Sequence, residues 1–481
     1  MPRPSPCPSP PPRPWRRARV AAGLAALALL SACAPTLPPL QRPDPPPGRY
    51  PEADATPGLD AARRWDAVYL DPGFQRLVAQ ALAHNGDLRQ AALRVAEARV
   101  ALGLQQAEAL PTLAASAAAT RSGVPADLSL TRRPVVGNQF QVGIGFSGWE
   151  IDFWGRVAAL EQAALQAHLA SEAGARAAET ALVAQLAQAW LALRETEARL
   201  ALARRTLDSR AESLRIFRRR VELGATAPLE LTQVELLWRQ AQTLLAQLEQ
   251  ARATQLNALA PLVGQPVDWQ PDPGWPDTTP WMAPLRAGLP SELLLRRPDI
   301  VAAEHALLAS EAQLRAARAA FFPRIALTAS AGSASAQLEG LFQAGSQAWS
   351  LAPLLSLPWL DGGRRQGGFE LADVRRQQAL ERYAQAVQGA FRDVADALAA
   401  QRWLAEQTET VRATLALQQQ RARLAKLRYE AGAARYLEVL DAERDLLSTE
   451  QQLVQLRRAQ RSAQVALYAA LGGGTLEDTP R

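Results

Sequence analysis

Three groupings of residues in this 481-residue chain have types and spacings that could do chemistry. Gly143, Gly145 and Gly148 form a G-x-G-x-x-G, the pattern with which a tight turn after a strand brings backbone N–H groups against a pyrophosphate. His84, His168 and His305 offer metal ligands, and the pairs Asp393 with Asp396 and Asp441 with Glu443 offer general acid–base work. Each fails on context. A dinucleotide site needs a compact strand–helix–strand unit, whereas a very long helical run with no second strand follows residue 148. Gly143 and Gly145 also fall on one face of a strict alternation, as small residues facing a lumen would. The histidines lie far apart, and none has a second histidine or a cysteine at ligand spacing. The acid pairs sit on long polar helical runs, where they read as solvated faces. No nucleophile-elbow, phosphate-loop or zinc-protease spacing occurs. The sequence therefore points to no catalysis, no cofactor and no metal.

The remaining reactive group is a thiol. Residues 1–32 carry five arginines (Arg3, Arg13, Arg16, Arg17, Arg19) and no acid, then an apolar run at 20–30, then Leu30, Ser31 and Ala32 before Cys33. The run is too short to span a bilayer as a helix, and small residues precede the cysteine, which is the pattern of a cleaved leader. Leu-Ser-Ala-Cys resembles the bacterial lipoprotein box, which implies that Cys33 becomes an acylated first residue; Ala34 after it favours the outer membrane. Cys7 leaves with the leader, so no internal disulfide is possible. Removing the leader also takes five positive charges off a formal +6, leaving no basic field to collect phosphates. Nucleic-acid binding is excluded on that ground. Residues 34–57 are proline-rich and read as an extended tether.

Behind these residues lies an internal duplication. Asp87 and Pro111 return as Asp299 and Pro323, an offset of 212; downstream the offset is 208, with Gly155-Arg156 returning as Gly363-Arg364 and Gly224-Ala225 as Gly432-Ala433. Two similar halves follow, and the period is too long for a solenoid. In each half a proline-free run (73–110 in the first) suits a helix, and strands come after it. Phe140, Val142, Ile144 and Phe146 alternate with Gln141, Gly143, Gly145 and Ser147; Ile325, Leu327, Ala329 and Ala331 alternate with Ala326, Thr328, Ser330 and Gly332. Four such strands, each near the ~9–11 residues a tilted membrane strand needs, are too few for a soluble core. Trp149, Phe153, Trp154, Phe321, Phe322, Trp349 and Trp359 gather at the strand ends as interface aromatics.

Between the strand pairs run the longest helices. About 68 helical residues after Trp154 would reach roughly 100 Å, with Leu186, Leu193, Leu200, Leu207, Leu214 and Val221 repeating every seven and Leu182, Ala189, Thr196, Ala203, Arg210 and Phe217 between them. That is a coiled-coil-like seam. The second half echoes it through Val387, Val394, Leu404, Val411, Leu415, Ala422 and Tyr429, interrupted by Gln401, Thr408 and Gln418. Each run ends at a glycine turn before a partner helix returns.

The runs GLPSELLLRRPDI at 288–300, FFPRI at 321–325 and PWLDGGR at 358–364, in that order, resemble the outer membrane efflux protein family. These are the outer-membrane lipoprotein channels of tripartite, resistance-nodulation-division type efflux pumps. The resemblance spans roughly residues 60–473. It implies a mainly α fold with a membrane β part, internally duplicated, with two long helical hairpins and four strands per chain completing a trimeric 12-stranded β-barrel and α-helical tunnel. The expected organisation is a signal peptide at 1–32, a lipidated N-terminus and tether at 33–60, and a first repeat at 61–270 with strands near 112–121 and 139–148 and a hairpin at 154–260. A connector at 271–290 leads to a second repeat at 291–473 with strands near 324–333 and 348–357 and a hairpin at 366–471, and then a tail at 474–481.

The implied function is a passive outer-membrane exit for small molecules, working with a periplasmic adaptor, an inner-membrane transporter and two more copies of itself. A duct for polypeptide secretion uses the same fold and stays open as an alternative; a periplasmic adaptor or a coiled-coil scaffold fits the strand pairs less well. With an adaptor as the implied partner, the equivalent turns of the two halves are the expected docking tips, Gly224, Ala225, Thr226 and Leu229 with Gly432, Ala433, Ala434 and Leu437, because their small residues allow close approach and the leucines offer an apolar contact. The resemblance also places a periplasmic gate just before the second tip. The family commonly has acids there, whereas this chain has Lys426, its only lysine, with Arg428 and Tyr429, so a basic or apolar constriction is expected.

Overall fold

The computed structural model describes residues 64–269, 280–286 and 293–474, together with Pro39, Leu59 and Asp60. The leader, Cys33, most of the tether, most of the connector and residues 475–481 lie outside the described residues. The described residues divide into two compact units, one holding residues 97–168 and 305–381, the other 64–96, 169–269, 280–286, 293–304 and 382–474.

The first unit is built on one antiparallel sheet. Its strands, β1 (Ala114–Val124), β2 (Val135–Glu150), β3 (Arg324–Ser335) and β4 (Gln347–Ser356), pair in chain order. Register sorts the side chains by face, because partners across an antiparallel pair share a side. One face carries Ala115, Ala117 and Ala119, then Phe140, Val142, Ile144 and Phe146, then Leu327, Ala329 and Ala331, then Trp349, Leu351 and Pro353. The other carries Ser116, Thr120, Gln139, Gln141, Gly143, Gly145, Thr328, Ser330 and Ser350.

The second strand is longer than the alternation at 139–148 suggested. A one-residue bulge between Phe146 and Trp149 breaks its strict period, with Gly148 at φ 66° and its N–H donating to Thr328 Oγ1 at 3.0 Å. The bulge restores Trp149 to the apolar face, 6.0 Å from the Phe146 ring. Gly143 and Gly145 also have a local reason to be glycine: a Cβ there would stand 2.7 and 2.5 Å from the carbonyl oxygens of Ala331 and Ala329.

Where the sheet meets the helices, Glu150 accepts two bonds from Arg156 (2.9 and 2.8 Å) and pairs with Arg324 at 2.7 Å, while Trp154 stacks on Phe322 with centroids 4.6 Å apart. Trp349 is not with these aromatics; it is the third residue of β4, towards the opposite, loop-connected end.

The second unit is helical. The expected helix at 73–110 is two, α1 (Pro72–His84) and α2 (Gly86–Ala107), because Asn85 is buried between them. Asn85 accepts the Leu88 N–H and donates to the Leu262 carbonyl, each at 2.9 Å, and so interrupts the helical ladder. The long helices are α3 (Arg156–Glu222), α4 (Pro228–Val263), α6 (Arg364–Glu430) and α7 (Tyr436–Ala470), with α5 (Pro298–Ala319) between the halves. Of the seam on α3, Leu186, Leu193, Leu200 and Leu214 are buried, as are Leu182, Thr196, Ala203, Arg210 and Phe217. Leu214 and Phe217 meet Val234 of α4, and Leu200 and Ala203 meet Leu248; Val234, Ala241 and Leu248 are themselves seven apart and buried. The largest cluster centres on Tyr69, whose ring lies 4.8 Å from Phe74, 5.2 Å from Trp281 and 5.6 Å from Tyr468.

The duplication is visible in contacts. Asn85 reaches the Leu262 carbonyl, and its counterpart Arg297 reaches the Ala470 carbonyl at 3.2 Å. Gly264 presses on the His84 carbonyl, and its counterpart Gly472 faces that of Arg296.

Candidate functional site

The two hairpin ends are built alike. α3 stops at Gly224 (φ 69°), whose N–H donates to the Val221 carbonyl at 2.9 Å while Ala225 N–H donates to Arg220 at 2.8 Å. α6 stops at Gly432 (φ 71°), with Gly432 N–H on Tyr429 at 2.9 Å and Ala433 N–H on Arg428 at 2.8 Å. This is the paired-bond stop of a left-handed cap, which satisfies the last carbonyls of each helix and asks for glycine at one position only. Pro228 then starts α4 with φ already set. Gly224, Ala225, Gly432 and Ala433 are exposed, Thr226 and Ala434 half-buried, and Leu229 and Leu437 stand 68% and 47% exposed. So each tip presents small residues and uncovered leucine, Leu223 and Leu229 at the first and Leu437 at the second.

The tips differ in polar chemistry. Thr226 donates to Glu230, whereas Arg428 is held by Glu438 at 2.9 Å. Tyr429 accepts from Arg220, and its ring lies 4.9 Å from Tyr436. Of the three residues placed at the gate, Arg428 and Tyr429 are thus engaged within the chain, and Lys426 is exposed on α6.

Sequence reasoning missed the links that join the hairpins. Besides Arg220 to Tyr429, Tyr436 donates to Ser213 at 2.8 Å, and buried Arg210 faces Glu443 at 3.9 Å. Burial pushes the Glu443 carboxyl up, against the pull of Arg210 and then Lys426; burial likewise raises the Tyr436 phenol. The available signal was Arg210 itself, a charge on an apolar seam. Elsewhere Arg421 and Arg444 hold the Asp445 carboxyl below its usual range.

The sheet is the other candidate surface. Ile144, Trp349, Leu351 and Leu355 are all more than half exposed on its apolar face, an uncovered patch that a soluble monomer rarely shows. No group of three His, Cys, Asp or Glu that could hold a metal occurs among the described residues, and no described helix is long and apolar enough to cross a membrane.

Comparison with known proteins agrees over both halves. The family model for outer membrane efflux proteins matches residues 77–265 and 289–473. The chain is 41% identical to outer membrane protein OprJ of Pseudomonas aeruginosa, covering 88% of this chain and 90% of that protein. It is 40% identical to the toluene efflux pump outer membrane protein TtgF of Pseudomonas putida, covering 86% of each. Among solved structures, the open state of the Neisseria gonorrhoeae MtrE outer membrane channel aligns with a TM-score of 0.82 at 34% identity, over 93% of this chain and 100% of that one.

Proposed function

The chain belongs to the outer membrane efflux protein family, and from that premise we propose that it is the outer-membrane exit duct of a tripartite efflux system. It passes small toxic solutes delivered by an inner-membrane resistance-nodulation-division transporter through a periplasmic adaptor. The carrying observation is the sheet, with one exposed apolar face, one face mainly of small and polar residues, and outer edges on β1 and β4 that nothing among the described residues pairs. Bare strand edges are not tolerated in hydrocarbon, so β4 of one copy must meet β1 of the next. Three copies then give twelve strands, an even number of the kind membrane barrels use. The small and polar face lines the duct, and the two hairpins of each copy supply the helical tunnel.

In this reading residues 1–32 are removed and Cys33 carries the lipid, so that strands and acyl chains are separate membrane signals. The solute class follows from the relatives, of which TtgF is named for toluene efflux. Reconstitution of the purified full chain in planar bilayers tests the proposal. A trimer that survives unheated gel electrophoresis and gives single-channel steps is expected; a trimer that inserts without conducting refutes the duct.

A further inference from the structure

The repeat is broken at the loop-connected end of the sheet, and the break is one of charge. Between residues 112 and 149 the first strand pair has Arg121, Arg132 and Arg133 against the single acid Asp127; between 325 and 356 the second has Glu339 and no cation. Arg121 follows Ala115, Ala117 and Ala119 on the apolar face, opposite Asn138. It is therefore the first charged group above an apolar column that faces lipid. Arg132 and Arg133 stand in the connection 125–134, which is held in shape by bonds from Leu128 and Ser129 N–H to the Pro125 carbonyl (3.2 Å each) and from Arg132 N–H to Ser129 at 3.0 Å. All three arginines are exposed, and none forms an ion pair among the described residues. Leu128 and Leu130 of the same connection are 75% and 106% exposed. Free guanidinium groups beside bare leucines, just beyond the apolar column of a membrane strand, complement a ligand whose phosphates sit at the connection and whose acyl chains run down along Ala119, Ala117 and Ala115.

We propose that Arg121, Arg132, Arg133 and the leucines Leu128 and Leu130 form a binding site for a phosphorylated glycolipid of the outer leaflet. The inference rests on the outer-membrane reading above, which puts the loop-connected end outward. Guanidinium groups bind a phosphomonoester bidentately and stay charged at every relevant pH. A zwitterionic phospholipid carries its own counter-cation and gains less. The lipid collar of the trimer is thus asymmetric, one basic contact per chain beside an acidic one from the second strand pair.

Native mass spectrometry of the detergent-purified full chain, titrated with bisphosphorylated lipid A and with the same lipid after removal of both phosphates, tests this. The wild-type protein should prefer the phosphorylated form. The triple variant Arg121→Gln, Arg132→Gln, Arg133→Gln should lose about fivefold per arginine, on the order of a hundredfold in all, while Leu128→Ser with Leu130→Ser should weaken both lipids alike. Equal binding of the two lipids by the wild type overturns the site. So does an undiminished preference in the triple variant, or one that Arg121→Gln leaves wholly unchanged. Bilayer conductance on the same preparations separates the two readings: conduction without phosphate preference removes the lipid site alone, and absence of conduction removes the duct.

Discussion

Arg220, in the last turn of α3, donates its guanidinium to the hydroxyl of Tyr429, in the last turn of α6. The bond ties one hairpin to the other within a single chain, beside the segment expected to close the duct. A charge-assisted bond contributes about 1.5–3 kcal/mol net, and exposure puts this one at the low end. Tyr429→Phe should therefore raise the open fraction, and Arg220→Ala, which also removes the cation from the ring 5.7 Å away, should raise it further. Single-channel recording in bilayers reads the order directly. Lys426→Ala is the contrast: if it shifts ion preference, the lysine faces the pore, and if it leaves both conductance and preference untouched, Lys426 is a surface residue.

The Arg210–Glu443 contact predicts a pH dependence of stability. Burial raises the folded carboxyl above its unfolded value, so the folded state binds the proton more tightly. That contribution is fully present below the unfolded glutamate pKa and is lost as pH rises through the folded value. Between about pH 4.3 and neutrality the wild type should lose Tm relative to Glu443→Gln as pH rises. Arg210→Met removes the largest lowering influence and should move the window to higher pH. Parallel Tm–pH curves for wild type and Glu443→Gln would show that the carboxyl is not buried in the trimer.

Glycines that share the left-handed region should differ in cost. Gly264 has φ 80°, and an added Cβ would stand 2.1 Å from the His84 carbonyl; Gly224 has φ 69° with open space around it. Gly224→Ala should cost only the left-handed backbone penalty of about 1–2 kcal/mol. Gly264→Ala must in addition push α4 off the end of α1, and should cost more than twice as much. Equal chemical-denaturation midpoints would contradict this.

Labelling tests the anchor. In cells fed radioactive palmitate the wild type should label and Cys33→Ser should not, while the variant trimer still forms through its strands. Undiminished labelling of Cys33→Ser would move the lipid elsewhere.

What the sequence made legible was what periodicity and repetition carry. The seven-residue spacing from Leu186 to Leu214 named the buried seam, and the 208-residue offset from Gly224 to Gly432 located both turns. The bulge at Gly148 was hidden because one extra residue changes the face of Trp149 without changing composition. Asn85 reads as a polite polar residue in a helix until its partner, the Leu262 carbonyl, is seen 177 positions away. The Arg220–Tyr429 link spans 209 positions, and no local pattern announces it.

The hairpin tips yield the last prediction, which rests on the proposed duct. Three chains present six tips, alike in backbone because Gly224 and Gly432 close the same pair of bonds, and alike in offering a bare leucine, Leu229 or Leu437. A partner built of repeated helical hairpins can approach such a rim closely only where side chains are small. Ala225 and Ala433 are exposed, and each bonds in the turn through backbone atoms alone, so a larger side chain leaves the helix stop intact. The polar contacts differ, Thr226 on Glu230 against Arg428 on Glu438, so the two tips need not contribute equally. Ala225→Trp with Ala433→Trp should keep the trimer and its conductance but reduce adaptor crosslinking and solute resistance at least tenfold, and the single variants should rank the tips. Wild-type resistance in the double variant would remove the tips from docking; loss of the trimer would show that they hold the assembly together instead.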